Sequence, residues 1–181
     1  MHDAAKEWLE IRSFDYNIAF GKEGSLAVDF GGRYINGDVH ALWPNYQWMV
    51  VDNHPDLTWR VSDLSISEYV YFKENAARWN PDKEYDLALC TEVFEHTAEW
   101  PSICKTAHMA LKSGMPFLVT CAGPGRKRHS MYDGGPLHEG EYYENVMPHQ
   151  LGDILRIAGF KDIRIVYNPH AYDLYAVAVK P

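Results

Sequence analysis

The sequence contains no apolar run approaching the ~20 residues a helix needs to cross a bilayer, so no membrane span is expected. Its first residues, MHDAAKEWLEIR, are charged and lack the apolar stretch of a secretory signal, so a cytoplasmic location is expected. Cysteine is scarce. Cys90, Cys104 and Cys121 are an odd number with no CxxC pair. Cys90 and Cys121 each close an apolar run, LALC and FLVTC, and read as small buried residues. The nine histidines include no HExxH or other zinc spacing, so no metal site is expected. Positive charge is also short: 17 Lys and Arg against 25 Asp and Glu leave a net charge of -8. That balance disfavours a nucleic-acid backbone as partner, because phosphate binding needs a cationic surface. The one basic cluster, Arg126-Lys127-Arg128-His129, reads as a solvated loop, with phosphate contact as the alternative. Internal repeats and low-complexity stretches are missing too, and no residue pattern speaks to an oligomeric state.

What is present suits one α/β domain over residues 1–181. The length supports a core, and 46 % hydrophobic with 23 % charged residues argues for a globular fold. Residues 3–14 read as a helix within an N-terminal extension, 1–22. Short apolar runs predict strands at 25–30, 47–52, 58–61, 85–91 and 115–121. Helices are expected near 37–43, 66–79 and 99–111, the last closed by Lys112-Ser113-Gly114. Residues 122–146 are rich in Gly, Pro, His and Tyr, and a loop of that length reads as a lid over a site. A helix over 148–158 and two strands, 160–167 and 172–179, complete the chain, with Asn168-Pro169-His170 as the hairpin turn. Strand–helix alternation predicts a three-layer α/β sandwich. Its seven-stranded sheet is mostly parallel and ends in an antiparallel C-terminal hairpin strand.

On that frame the polar residues gather at the carboxyl ends of the strands, where such sheets bind ligands. Asp29, Gly31 and Gly32 end strand one, Asp52 and Asn53 end strand two, Asp63 follows strand three, and Thr91 and Glu92 follow strand four. Glycines let backbone approach a ligand closely. Asp52 falls about 20 residues beyond them, the separation at which an acid accepts ribose hydroxyls in nucleoside-binding folds. Asp63 is placed to take an adenine amino hydrogen, and Asp29 to order the glycine loop or accept from an ammonium group. Each acid alone also reads as a turn or cap residue; their shared edge favours the site. His96 and His138 are the candidate general bases, although a histidine beside Glu95 also reads as a packing residue.

The run Ala27-Val-Asp-Phe-Gly-Gly32 resembles the first motif of class I S-adenosylmethionine-dependent methyltransferases. Tyr85-Asp-Leu-Ala-Leu-Cys-Thr-Glu-Val-Phe-Glu-His96 resembles that family's segment after strand four, Leu111 to Thr120 the entry to strand five, and Ala158-Gly-Phe160 the entry to strand six. The resemblance implies a Rossmann-like fold and S-adenosylmethionine as cofactor. It implies Asp29 and Gly31 around the methionine end, Asp52 on the ribose, Asp63 and Leu64 near the adenine, and Thr91 and Glu92 where the methyl group points. A small-molecule acceptor is the expectation. The glycine loop departs from the family's GxGxG, since after Gly31-Gly32 the next glycine is Gly37. That departure keeps a non-catalytic binding or scaffold module as an alternative. A nicotinamide-dependent oxidoreductase is a further alternative, weakened because GxGxxG is missing and a dinucleotide needs it for its pyrophosphate.

Overall fold

A computed structural model describes residues 3–16, 24–32, 39–53 and 69–181. In chain order the elements are α1 (Asp3–Asp15), β1 (Ser25–Phe30), β2 (Tyr46–Asp52), β3 (Tyr69–Lys73), β4 (Leu87–Thr91), α2 (Trp100–Ala110), β5 (Pro116–Ala122), α3 (Pro148–Ile157), β6 (Lys161–Asn168) and β7 (Asp173–Val179). The strands form one seven-stranded sheet in the order β3-β2-β1-β4-β5-β7-β6. All pairs from β3 to β5 are parallel, and β7 runs antiparallel to both β5 and β6. This is the mostly parallel sheet with a closing hairpin that the alternation predicts.

The central strands are apolar throughout because both sheet faces are covered. Their two-residue period splits them between two cores. Ala88 and Cys90 of β4, with Phe117 and Val119 of β5, join Ile103 and Ala107 of α2 and Leu151 and Leu155 of α3. Leu87, Leu89 and Leu118 face the other way, onto Leu9 of α1, Trp43 and Trp48. Trp8 of α1 stacks on Tyr175 of β7 with ring centroids 5.2 Å apart, which fixes the N-terminal helix to the sheet. None of the helices among the described residues is long and apolar enough to cross a membrane.

One expectation fails. The strand that pairs with β2 is Tyr69–Lys73, inside the segment predicted as a helix over 66–79. Tyr-Val-Tyr-Phe is β-branched and aromatic, and packing on β2 decides in favour of extended backbone. The helical spacing came from mixing this strand with Ala76 and Trp79, which are buried from the turn beyond it. Thr58–Val61, expected as strand three, lies outside the described residues. Of the helix expected over 37–43, the described part holds only a 3-10 turn, His40–Leu42.

Candidate functional site

In this strand order β1 leads outward to β2 and β3, and the chain then returns to β4 on β1's other side. The carboxyl ends of β1 and β4 therefore diverge, and a crevice opens where the order reverses. A cavity of about 970 Å³ lies there, at the upper end of the ~300–1,000 Å³ usual for small-molecule sites. Asp29, Gly31 and Gly32 line it from β1, Asp52 and Asn53 from β2, and Thr91, Glu92 and His96 from β4 and the turn after it. The structure thus brings together most of the strand-tip residues that the sequence singles out.

Asp29 is 1 % exposed. Its Oδ2 lies 2.8 Å from Nε2 of His40, which the 3-10 turn holds over β1. Its Oδ1 is buried with no hydrogen-bond partner among the described residues. A buried carboxylate oxygen left unpaired is costly, so the position calls for a donor. The bend beside it has no room for side chains. Gly31 has φ +77°, its amide donates to the Val51 carbonyl at 2.9 Å, and a Cβ there would sit 2.5 Å from Val93 Cγ2. A Cβ on Gly32 would sit 2.3 Å from Asp29 Oδ2. Asp52 is buried at the tip of β2 and faces the same cavity.

On the β4 side the backbone turns sharply at Glu92, with φ +57°. Glu92 is anchored to β5 twice: its amide donates to the Thr120 carbonyl at 2.8 Å, and Oε1 accepts from Thr120 Oγ1 at 2.9 Å. The following 3-10 turn, Phe94–His96, buries Glu95 completely. Burial, and then the nearby Glu92 carboxylate, push the Glu95 carboxyl well above the ordinary range; neighbouring amides and Arg126 oppose this in part. His96 packs edge-on to His129 and Tyr143, with centroids 5.1 and 5.2 Å away.

The opposite wall is the loop after β5, where residues 126–132 and 134–137 border the cavity. The basic cluster is part of this wall, with Lys127 and Arg128 exposed to solvent as the solvated-loop reading expects. Arg126 pairs with buried Asp173 and also donates to the Ala171 carbonyl at 2.9 Å. Burial and Glu92 raise Asp173 to about 6, against the pull of Arg126 and the Tyr175 hydroxyl, so the pair is ionised at neutral pH.

Three expected residues are not placed at the cleft. Asp63 and Leu64 lie outside the described residues. His138 does not border the cavity; it is exposed, 3.3 Å from Asp133 Oδ2 and stacked on Tyr132. At the tip of β3 stands Asn75, which lines the cavity and donates to Glu99 Oε2 at 2.8 Å. His40, Asn75 and Glu95 carry no spacing signal. His40 alone was findable, as a polar residue interrupting the apolar run Val39 to Trp43.

No family model and no curated protein matches this chain by sequence. Solved structures match it over nearly its whole length. The S-adenosylmethionine-dependent methyltransferase SibL superposes with a TM-score of 0.73 at 14 % identity, covering 98 % of this chain and 55 % of its own. A 1,6-didemethyltoxoflavin-N1-methyltransferase from Burkholderia thailandensis gives 0.67 at 17 % identity, covering 98 % and 77 %. Human N-acetylserotonin methyltransferase gives 0.62 at 19 %, covering 97 % and 54 %. The chain has the class I methyltransferase fold. It spans about half the length of SibL and of the human enzyme. In this class I methyltransferase fold the cavity occupies the crevice between β1 and β4.

Proposed function

We propose that the chain binds S-adenosylmethionine in this cleft and catalyses methyl transfer to a small-molecule acceptor. The observation that carries the reading is Asp29: a buried carboxylate with one oxygen held by His40 and the other without a hydrogen-bond partner among the described residues, beside a bend that excludes side chains. An ammonium group satisfies that oxygen, and bare backbone at Gly31 and Gly32 admits a ligand chain. Asp52 is suited to ribose hydroxyls with Asn53 beside it, Asn75 to the base, and Thr91 and Glu92 border the reacting end. Two of the similar structures support the cofactor: the human enzyme was solved with S-adenosylmethionine, and the Burkholderia enzyme with S-adenosylhomocysteine and 1,6-didemethyltoxoflavin.

The cofactor supplies a methyl group already activated by its sulfonium. The residues of this chain then have to hold an acceptor nucleophile in line and keep water out, tasks for which the loop wall at 126–137 is positioned. Of the two candidate bases, His96 borders the cavity and His138 does not. A cytoplasmic setting fits the three free, buried thiols. Isothermal titration tests the reading directly. S-adenosylmethionine and S-adenosylhomocysteine should each bind one per chain; the absence of heat from both at millimolar ligand ends the proposal.

A further inference from the structure

We infer that Glu95, His96 and His129 form a binding site for one divalent transition-metal ion of the zinc class, on the floor of the cleft. One ligand atom from each residue lies within 4.8 Å of the other two. An ion with bonds of ~2.0–2.1 Å needs ligands about 3.4 Å apart, so side-chain rotations closing roughly 1 Å complete the set. No local spacing announces it. His96 comes from the turn after β4 and His129 from the loop after β5, and the adjacency of those strands brings them together.

A second observation points to a ligand independently of the cluster. Glu95 is 0 % exposed, and neither of its carboxylate oxygens completes a hydrogen bond of good geometry among the described residues, although the Glu95 and Ala122 amides lie near enough to favour its charged form. Packing alone does not explain an acid kept there, because an apolar residue of that size carries no desolvation cost. A cation coordinated by the carboxylate does explain it. The histidines are prepared for the same role. Nδ1 of His129 lies 3.1 Å from the Lys127 carbonyl; donating to it leaves the lone pair of the neutral ring on Nε2. Tyr143 packs edge-on against both imidazoles, at 5.2 and 5.0 Å.

The donor set is two imidazoles and one carboxylate. That composition suits zinc and other first-row divalent ions and leaves coordination positions for non-protein ligands. His96 and His129 border the cavity, so those positions face the cleft. Glu92 and Arg126 are the formal charges that act on Glu95, and Arg126 is engaged by Asp173. With an ion bound, His96 is a ligand rather than a proton acceptor.

The test uses the full chain, stripped with a chelator, dialysed and titrated with Zn²⁺ by calorimetry, with Co²⁺ as the spectroscopic probe. One ion per chain is expected, with visible ligand-field absorption from Co²⁺. His129→Gln, and separately His96→Gln, should each weaken Zn²⁺ at least a hundredfold while circular dichroism shows a folded chain. His170→Gln, on the exposed hairpin turn, should change it less than twofold. Absence of uptake by the wild-type chain overturns the inference, as does uptake that survives both cleft substitutions. Metal content is read without S-adenosylmethionine, so this failure is distinct from failure of the methyltransferase reading.

Discussion

The strand-tip wall of the cleft is fixed by backbone, whereas the loop wall is fixed by side chains. At the strand tips the Gly31 amide bonds to Val51 and the Glu92 amide to Thr120, each continuing a sheet ladder past its end. Residues 123–147 have no helix or strand. There Glu141 accepts from Ser130 Oγ at 3.0 Å, the Met131 amide at 3.0 Å and the His138 amide at 2.6 Å. Arg128 donates to the Tyr143 carbonyl at 2.9 Å, and Asn145 Nδ2 to the Arg126 carbonyl at 3.0 Å. A ladder has one geometry and tolerates changes in most side chains; a stapled loop can be reshaped one residue at a time. The wall proposed to hold the shared cofactor is thus the rigid one, and the wall proposed to face the acceptor is the adjustable one.

The largest break of that contrast comes at the double-glycine bend. Gly31→Ala combines a strained positive φ with a clash against Val93, and should cost roughly 3 kcal/mol or more in urea unfolding. Gly32→Ala drives a Cβ into the carboxylate that His40 holds; it should cost roughly 1–3 kcal/mol and abolish the heat of S-adenosylmethionine binding. A folded Gly32→Ala chain with unchanged affinity removes the bend from the cofactor site.

The loop wall responds to pH instead. Asp173 rises from its ordinary 3.8 to about 6 in the folded chain, so the folded state binds this proton more tightly than the unfolded state. Its contribution is therefore greatest below pH ~4 and is lost as pH rises to about 6, by roughly 3 kcal/mol at most. Asp173→Asn should remove that slope. The difference between wild-type and variant unfolding curves, followed from pH 4 to 7, isolates the group; a constant difference denies the shift. A smaller effect is expected at the second strand tip. Asp52→Ala should weaken S-adenosylmethionine by ~1–3 kcal/mol through lost hydrogen bonds, read by calorimetry, and unaltered affinity rejects the ribose assignment.

The same contrast explains what the sequence could reveal. Residues at the ends of buried strands are marked by an apolar run that stops, so Asp29, Gly31, Gly32, Asp52, Thr91 and Glu92 were findable along one edge. The edge strand β3 was not. Its apolar run, Tyr69-Val-Tyr-Phe72, is short, and together with Ile66, Ala76 and Trp79 it blended into an apparent helix. The loop wall left still less trace, because contacts such as Arg126 with Asp173, 47 residues apart, follow from strand adjacency and not from spacing. His138 was attractive only as a histidine in a long loop; its partner, Asp133, belongs to the same loop.

The finest test separates the two walls without touching the cavity. Glu141 does not border the cleft, yet its carboxylate gathers three donors from residues 130, 131 and 138. Glu141→Ala deletes that staple and leaves the strand tips untouched. Limited proteolysis should then cut the chain faster within residues 130–141, since local opening of a loop depends on the few bonds that close it. S-adenosylmethionine affinity should move less than twofold. If the affinity falls together with the protease resistance, the loop and the strand tips form one cooperative unit, and the division of the cleft into a fixed wall and an adjustable wall fails.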